Sequence, residues 1–82
     1  MYFVYILESD PSGRLYVGST QDVEARVARH NEGRSKSTKS HRPWTVIYTE
    51  AFETRSDAMK RELHIKSWKS RRYILELIGT SR

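Results

Sequence analysis

Near the start of the chain six consecutive positions, Tyr2 to Leu7, are aromatic or aliphatic with no polar residue among them. A strand with one wet face alternates, so an unbroken run of this length predicts a strand covered on both faces, in the middle of a sheet. Asp10-Pro11-Ser12-Gly13 follows in the order a type I turn favours, and Leu15-Tyr16-Val17 resumes the apolar pattern, which predicts a β-hairpin. Gly18 is expected to end that second strand. Ser19 or Thr20 is then placed to cap a helix whose first turn carries Asp22 and Glu24, acids that suit the positive end of the helix dipole. That helix should run to about His30 or Asn31, with Gly33 as its stop.

Residues 34 to 43 are mostly Ser, Thr, Lys and Arg up to Pro43 and read as a mobile basic loop. Trp44 to Phe52 is the third strand, with Val46, Ile47, Tyr48 and Phe52 as its packing residues. Thr54 and Asp57 make the Thr-x-x-Asp start of a helix continuing to about Trp68. A last short helix from Ser70 to Ile78 is expected to turn Tyr73, Ile74, Leu77 and Ile78 inward. The order strand-strand-helix-strand-helix-helix predicts one α+β domain over residues 1 to 82, a small three-stranded antiparallel sheet flanked by helices.

Helical periodicity puts charge where apolar residues belong. Glu62 lies four after Ala58, three after Met59 and three before Ile65, inside the apolar stripe of its helix. An ionised carboxylate there is costly unless a cation, a metal or several donors meet it; the plainer reading is an ion pair with Lys66, four residues on. In the first helix Val23 and Val27 should face the sheet, and Arg26 and His30 occupy the neighbouring line, aimed at Tyr5 and Tyr16. The plain alternatives are a solvated helix flank, with His30 favoured by the helix C-terminus, and tyrosines that are core aromatics with a wet hydroxyl.

Composition narrows the class. The 82 residues include 37% hydrophobic and 11% aromatic positions, enough for one core and too few for a second. The lack of Cys excludes a disulfide scaffold and a zinc ribbon. The longest apolar run, Met1 to Leu7, is far short of a membrane span and lacks the basic start of a signal peptide, so the expectation is a cytoplasmic protein with no membrane partner. The net charge of +5 is unevenly placed: residues 1 to 33 sum to −2 and residues 34 to 82 to +7. Arg34, Lys36, Lys39 and Arg42 form one acid-free cluster, and Lys66 and Lys69 belong to a second around Glu62. A polyanion is the natural partner of such a half, although the same charges also solubilise helix faces.

Taken in order, these residues resemble the GIY-YIG nuclease domain of the small stand-alone bacterial type, over about Phe3 to Trp68. Phe3-Val4-Tyr5 stands for the G-I-Y element and Tyr16-Val17-Gly18 for Y-I-G, with the family's hairpin spacing between the tyrosines. Arg26 matches the family's helical Arg, His30 its His four residues later, and Glu62 its metal-binding Glu. Two positions depart from the pattern: Phe3 replaces the Gly, and no Asn follows Glu62.

The resemblance implies an endonuclease that hydrolyses phosphodiester bonds in DNA with Mg²⁺ or Mn²⁺, structure-selective or low in sequence specificity, with DNA repair as a setting. It implies that Glu62 holds the metal and Arg26 the scissile phosphate. Tyr5, or a water beside it, would act as general base with help from His30 or the field of the metal, and Tyr16 would position the phosphate or the nucleophile. Gly18 would let the backbone turn tightly beneath the site. Arg34, Lys36, Lys39, Arg42, Lys66 and Lys69 are the expected backbone contacts. The residues alone serve RNA as well as DNA, and with no base-reading motif the structure of the DNA, a protein partner or a homodimer is left to guide substrate choice. The rivals are a nucleic-acid-binding module without chemistry and a protein interaction domain. An RNA-recognition motif is disfavoured, since it needs a helix between its first two strands and here a Pro-Gly turn joins them.

Overall fold

A computed structural model of the chain describes residues 1–80. The hydrophobic run becomes β1 (Tyr2–Ser9), which lies between β2 (Leu15–Thr20) and β3 (Trp44–Phe52) in an antiparallel sheet of order β2-β1-β3. The helices are α1 (Val23–Asn31), a short α2 (Lys36–Lys39), α3 (Arg55–Ser67) and α4 (Arg71–Thr80). This is the α+β arrangement of a three-stranded sheet flanked by helices that the pattern predicts.

The central strand is apolar on both sides because both sides are covered. Val4, Tyr5, Ile6 and Leu7 have no exposed surface. Val4 and Ile6 pack with Val17 against Ala58 and Ile65 of α3 and Ile74 and Ile78 of α4. Tyr5 and Leu7 point the other way, to Trp44, Tyr16 and the Val23 and Val27 face of α1. Residues two apart share a face, so one strand feeds two cores. On β3 the pairing slips between Ile6 and Leu7, opposite Tyr48 and Val46; the extra residue, Ile47, joins Tyr48 in the α3-side core while Val46 stays on the other side.

Several boundaries differ from the sequence reading. The hairpin turn closes wider than a type I turn at Asp10: the Gly13 N–H donates to the Ser9 carbonyl, with Gly13 in the left-handed region at φ +72°. β2 does not stop at Gly18 but runs to Thr20, because Gly18 and Ser19 pair with Tyr5 and Val4. The cap of α1 is therefore Asp22, whose carboxylate accepts from the Ala25 N–H, and neither Ser19 nor Thr20. Residues 34 to 43 are not wholly loop: α2 forms there, and the Trp44 indole N–H donates to the Thr38 carbonyl at 2.9 Å. One turn of helix has no periodicity to read, and tertiary contacts hold it. Tyr73, expected inward, is 57% exposed; Ile74 and Ile78 carry the inner face of α4. The cap at Thr54 is as expected, accepting from the Asp57 N–H, whereas Ser70, expected as the first residue of the last helix, precedes α4 and accepts from the Tyr73 N–H.

Candidate active site

The floor of the site is the β1–β2 pair. Tyr5 lies directly opposite Gly18, and a Cβ on Gly18 would come within 2.5 Å of the Tyr5 hydroxyl oxygen. Gly18 thus makes room for the Tyr5 ring within a strand, and the expected role as a turn into the helix is corrected. The Tyr5 hydroxyl lies 3.2 Å from His30 Nε2, and His30 Nδ1 lies 2.9 Å from the Thr38 hydroxyl. Thr38 in turn donates to the Ser35 carbonyl at 3.4 Å. A hydroxyl that donates onward accepts from His30 Nδ1–H, which leaves the Nε2 lone pair facing the Tyr5 O–H. His30 and Thr38 are buried, so the plain reading of His30 as a solvated flank is overturned.

Electrostatics follow from this burial. Burial first, then Tyr16, pushes the Tyr5 hydroxyl up to about 12, against the nearby Arg26, which pulls it down; Glu62 adds a smaller upward push. Burial, with Arg26 and Arg29 beside it, holds His30 below its ordinary value, so at neutral pH it is an uncharged acceptor. Tyr16 stacks edge-on to His30 with ring centroids 4.8 Å apart and stands 6.3 Å from Tyr5. Tyr5, Tyr16, Arg26 and His30 are therefore one cluster between the sheet and α1.

Glu62 reaches the same sheet edge from α3. Its Oε1 accepts from the Ser19 hydroxyl at 2.6 Å and its Oε2 takes the Lys66 ammonium at 2.6 Å. The i to i+4 pair read from the sequence exists, and Ser19 supplements it. Lys66 Nζ also lies 6.0 Å from the Tyr16 ring centre, which ties the Glu62 pair to the tyrosine cluster. Arg26 and Ser19 line a cleft of about 430 Å³ between the starts of α1 and α3.

Comparison with known proteins bears on this arrangement. A family model of the GIY-YIG catalytic domain matches residues 1–74. The chain belongs to the GIY-YIG family. Its relatives include the UPF0213 proteins of Staphylococcus aureus strains Mu3 and USA300, each 47% identical over 68 residues, covering 82% of this chain and 82% of theirs. The UPF0213 protein BH0048 from Bacillus halodurans, with a solution NMR structure, is 35% identical and superposes with a TM-score of 0.61 over 98% of this chain and 85% of that one. The expected family and fold stand on this match and on the β2-β1-β3 sheet.

Within this GIY-YIG domain the metal expectation can be tested on the donor set. Among the described residues no group of three or more His, Asp or Glu could hold a metal. What stands at Glu62 is one carboxylate, its side chain 18% exposed, with the Ser19 hydroxyl on one oxygen and the Lys66 ammonium on the other. That suits a hard cation taking most ligands from water and phosphate oxygen, and not zinc, which needs several protein ligands.

The expected backbone contacts are dispersed. Arg34, Lys36, Lys39 and Arg42 are exposed around α2, with Arg34 paired to Glu32 at 3.0 Å and Arg42 bonded to the Lys39 carbonyl. Lys66 is on α3 and Lys69 just beyond it, and both line a cleft that His41 also lines. Sequence reasoning missed Ser19 and Thr38. Ser19 had a signal, since alternation after Gly18 turns it to the opposite face; Thr38 had none. No helix among the described residues is long and apolar enough to cross a membrane.

Proposed function

We propose that this protein is a divalent-metal-dependent endonuclease that hydrolyses phosphodiester bonds in DNA, with little sequence preference of its own. The observation that carries this reading is the convergence of Tyr5, Tyr16, Arg26 and His30 with the Glu62 pair at one end of the sheet.

In-line hydrolysis needs a water deprotonated on one side and positive charge on the phosphate oxygens. Arg26, on the cleft wall, has the forked donors to hold two of those oxygens. The Tyr5 hydroxyl at rest is a phenol whose proton faces the uncharged His30 Nε2; burial raises Tyr5 and lowers His30, so it opposes the transfer of that proton. Arg26 favours a Tyr5 phenolate, with further help from the charge of a bound cation; Tyr5 is fully buried at rest, so substrate binding has to admit the attacking water before Tyr5 can accept its proton. Tyr16, packed against His30, keeps the imidazole ring in place. Glu62 would hold Mg²⁺ or Mn²⁺, after Lys66 moves off Oε2, and the bound cation would supply charge to the phosphate and the leaving oxygen.

A second reading is favoured by one observation: both Glu62 oxygens already have donors, so the carboxylate is satisfied without a metal. On that reading the domain binds nucleic acid and cuts nothing. Nicking of supercoiled and branched DNA with manganese, beside a gel shift in chelator and an RNA arm, tests the two. Manganese-dependent nicking that Glu62→Gln abolishes supports the endonuclease. Binding with no nicking in any metal leaves the binding module.

A further inference from the structure

Two clefts open along the β2 edge, one on either side of Glu62. Ser19, bonded to one carboxylate oxygen, lines the cleft that holds Arg26. Lys66, bonded to the other, lines a second cleft of about 530 Å³ between the β1–β2 turn and the α3–α4 junction. The catalytic reading uses nothing in this second cleft beyond Lys66. Its rim carries Arg14, His41, Lys66, Lys69 and Arg71, and Leu15 and Ile74 give it apolar surface. Acids meet only part of this charge. Glu8 meets Arg71 and Glu62 meets Lys66, whereas Arg14 and Lys69 form no salt bridge among the described residues.

Two further features show that the rim is built. Arg14 Nη1 lies 3.3 Å from His41 Nε2, His41 Nδ1 lies 3.1 Å from the Ser12 hydroxyl, and Ser12 donates to Ser9, which donates back to the His41 carbonyl. That ring of bonds orients the Arg14 guanidinium at the cleft. Lys69 stands just past the end of α3 with φ +50°, a left-handed position where glycine is ordinary and a side chain is sterically costly. A lysine in such a place is unfavourable for the backbone, and Lys69 lines the cleft.

We infer that this second cleft is a cradle for the phosphodiester backbone of the strand that flanks the scissile bond, with Arg14 and Lys69 as its phosphate contacts. The substrate would then run from the Arg26 cleft past Glu62 to the cradle. The inference rests on the endonuclease reading for its substrate class, and it adds the path of the strand.

The test is binding of a short labelled DNA duplex in chelator over a salt series, by fluorescence anisotropy. Each phosphate contact releases close to one counterion, so Arg14→Gln with Lys69→Gly should flatten the log–log salt slope by about two. Lys69→Gly alone should leave the melting temperature unchanged or raised, and flatten the slope by about one. With metal restored, the double variant should nick with a raised KM and a retained kcat. A lowered melting temperature with an unchanged slope would make Lys69 a structural residue and overturn the cradle. If the variants lose a labelled nucleoside monophosphate but keep the DNA slope, the cleft is a site for free nucleotide and the strand assignment is wrong. Unchanged slopes with nicking intact overturn the cradle and leave the endonuclease standing; no binding and no nicking by the unsubstituted protein removes both.

Discussion

Gly18→Ala is the substitution whose effect follows most directly from the geometry. A Cβ at position 18 would lie 2.5 Å from the Tyr5 hydroxyl oxygen, 2.6 Å from its Cζ and 3.0 Å from its Cε1, where ordinary contact begins at 3.4 Å. The ring has to retreat by about 0.9 Å. It has no free side to move into, since Tyr5 is fully buried against Leu7 and Trp44. Overpacking of this kind costs about 1–3 kcal/mol, and alanine in place of strand glycine returns about 0.5–1 kcal/mol. A net loss of about 1–2 kcal/mol should lower the melting temperature by roughly 5–15 °C in a domain of this size. The displaced hydroxyl also leaves its 3.2 Å contact with His30, and a misplacement near 1 Å costs on the order of a hundredfold in rate. Thermal melting and single-turnover nicking read the two effects separately. Tyr5→Phe in the same chain should not restore stability, because the Cζ contact at 2.6 Å remains. Wild-type melting and wild-type nicking in Gly18→Ala would refute the argument that the bare backbone at 18 is what seats the Tyr5 ring.

Glu62→Gln should shift stability by no more than about 1 kcal/mol, since its partner Lys66 is half-exposed and screened, while manganese-dependent nicking should disappear; a large loss of stability with nicking retained would return Glu62 to a purely structural role. Arg26→Lys should keep the fold and lose about a hundredfold or more in nicking rate, because an ammonium cannot hold two phosphate oxygens as a fork does; an unaltered rate would take Arg26 off the phosphate. His30 is held below its ordinary value in the folded protein, so on acidification the unfolded chain binds a proton the folded one refuses, and stability should fall from about pH 6.5 downward; His30→Gln should flatten that dependence in melts taken across the range. Replacing Lys36, Lys39 and Arg42 together by Ala should lower the salt slope of DNA binding, and an unchanged slope would exclude the α2 region as a contact surface.

What the chain carries in local pattern is legible without coordinates. The unbroken run Tyr2 to Leu7 announces a strand covered on both faces, and β1 is the middle strand with four residues fully buried. The three- and four-residue spacings that set Arg26 and His30 beside Val23 and Val27, and Glu62 between Ala58 and Ile65, mark those polar groups as facing inward, because helix geometry is the same wherever the helix sits. Thr38 beneath His30, Ser19 on Glu62, and the bulge at Ile47 have no such periodic signature. The same holds for the second cleft, where Arg71 donates to the Gly13 carbonyl and pairs with Glu8, residues far from it along the chain. Periodicity reports which side of its own element a residue occupies. Which residue of another element it meets depends on strand register and on how the helices pack over the sheet, and only the tertiary structure decides those, since each is set by many contacts at once.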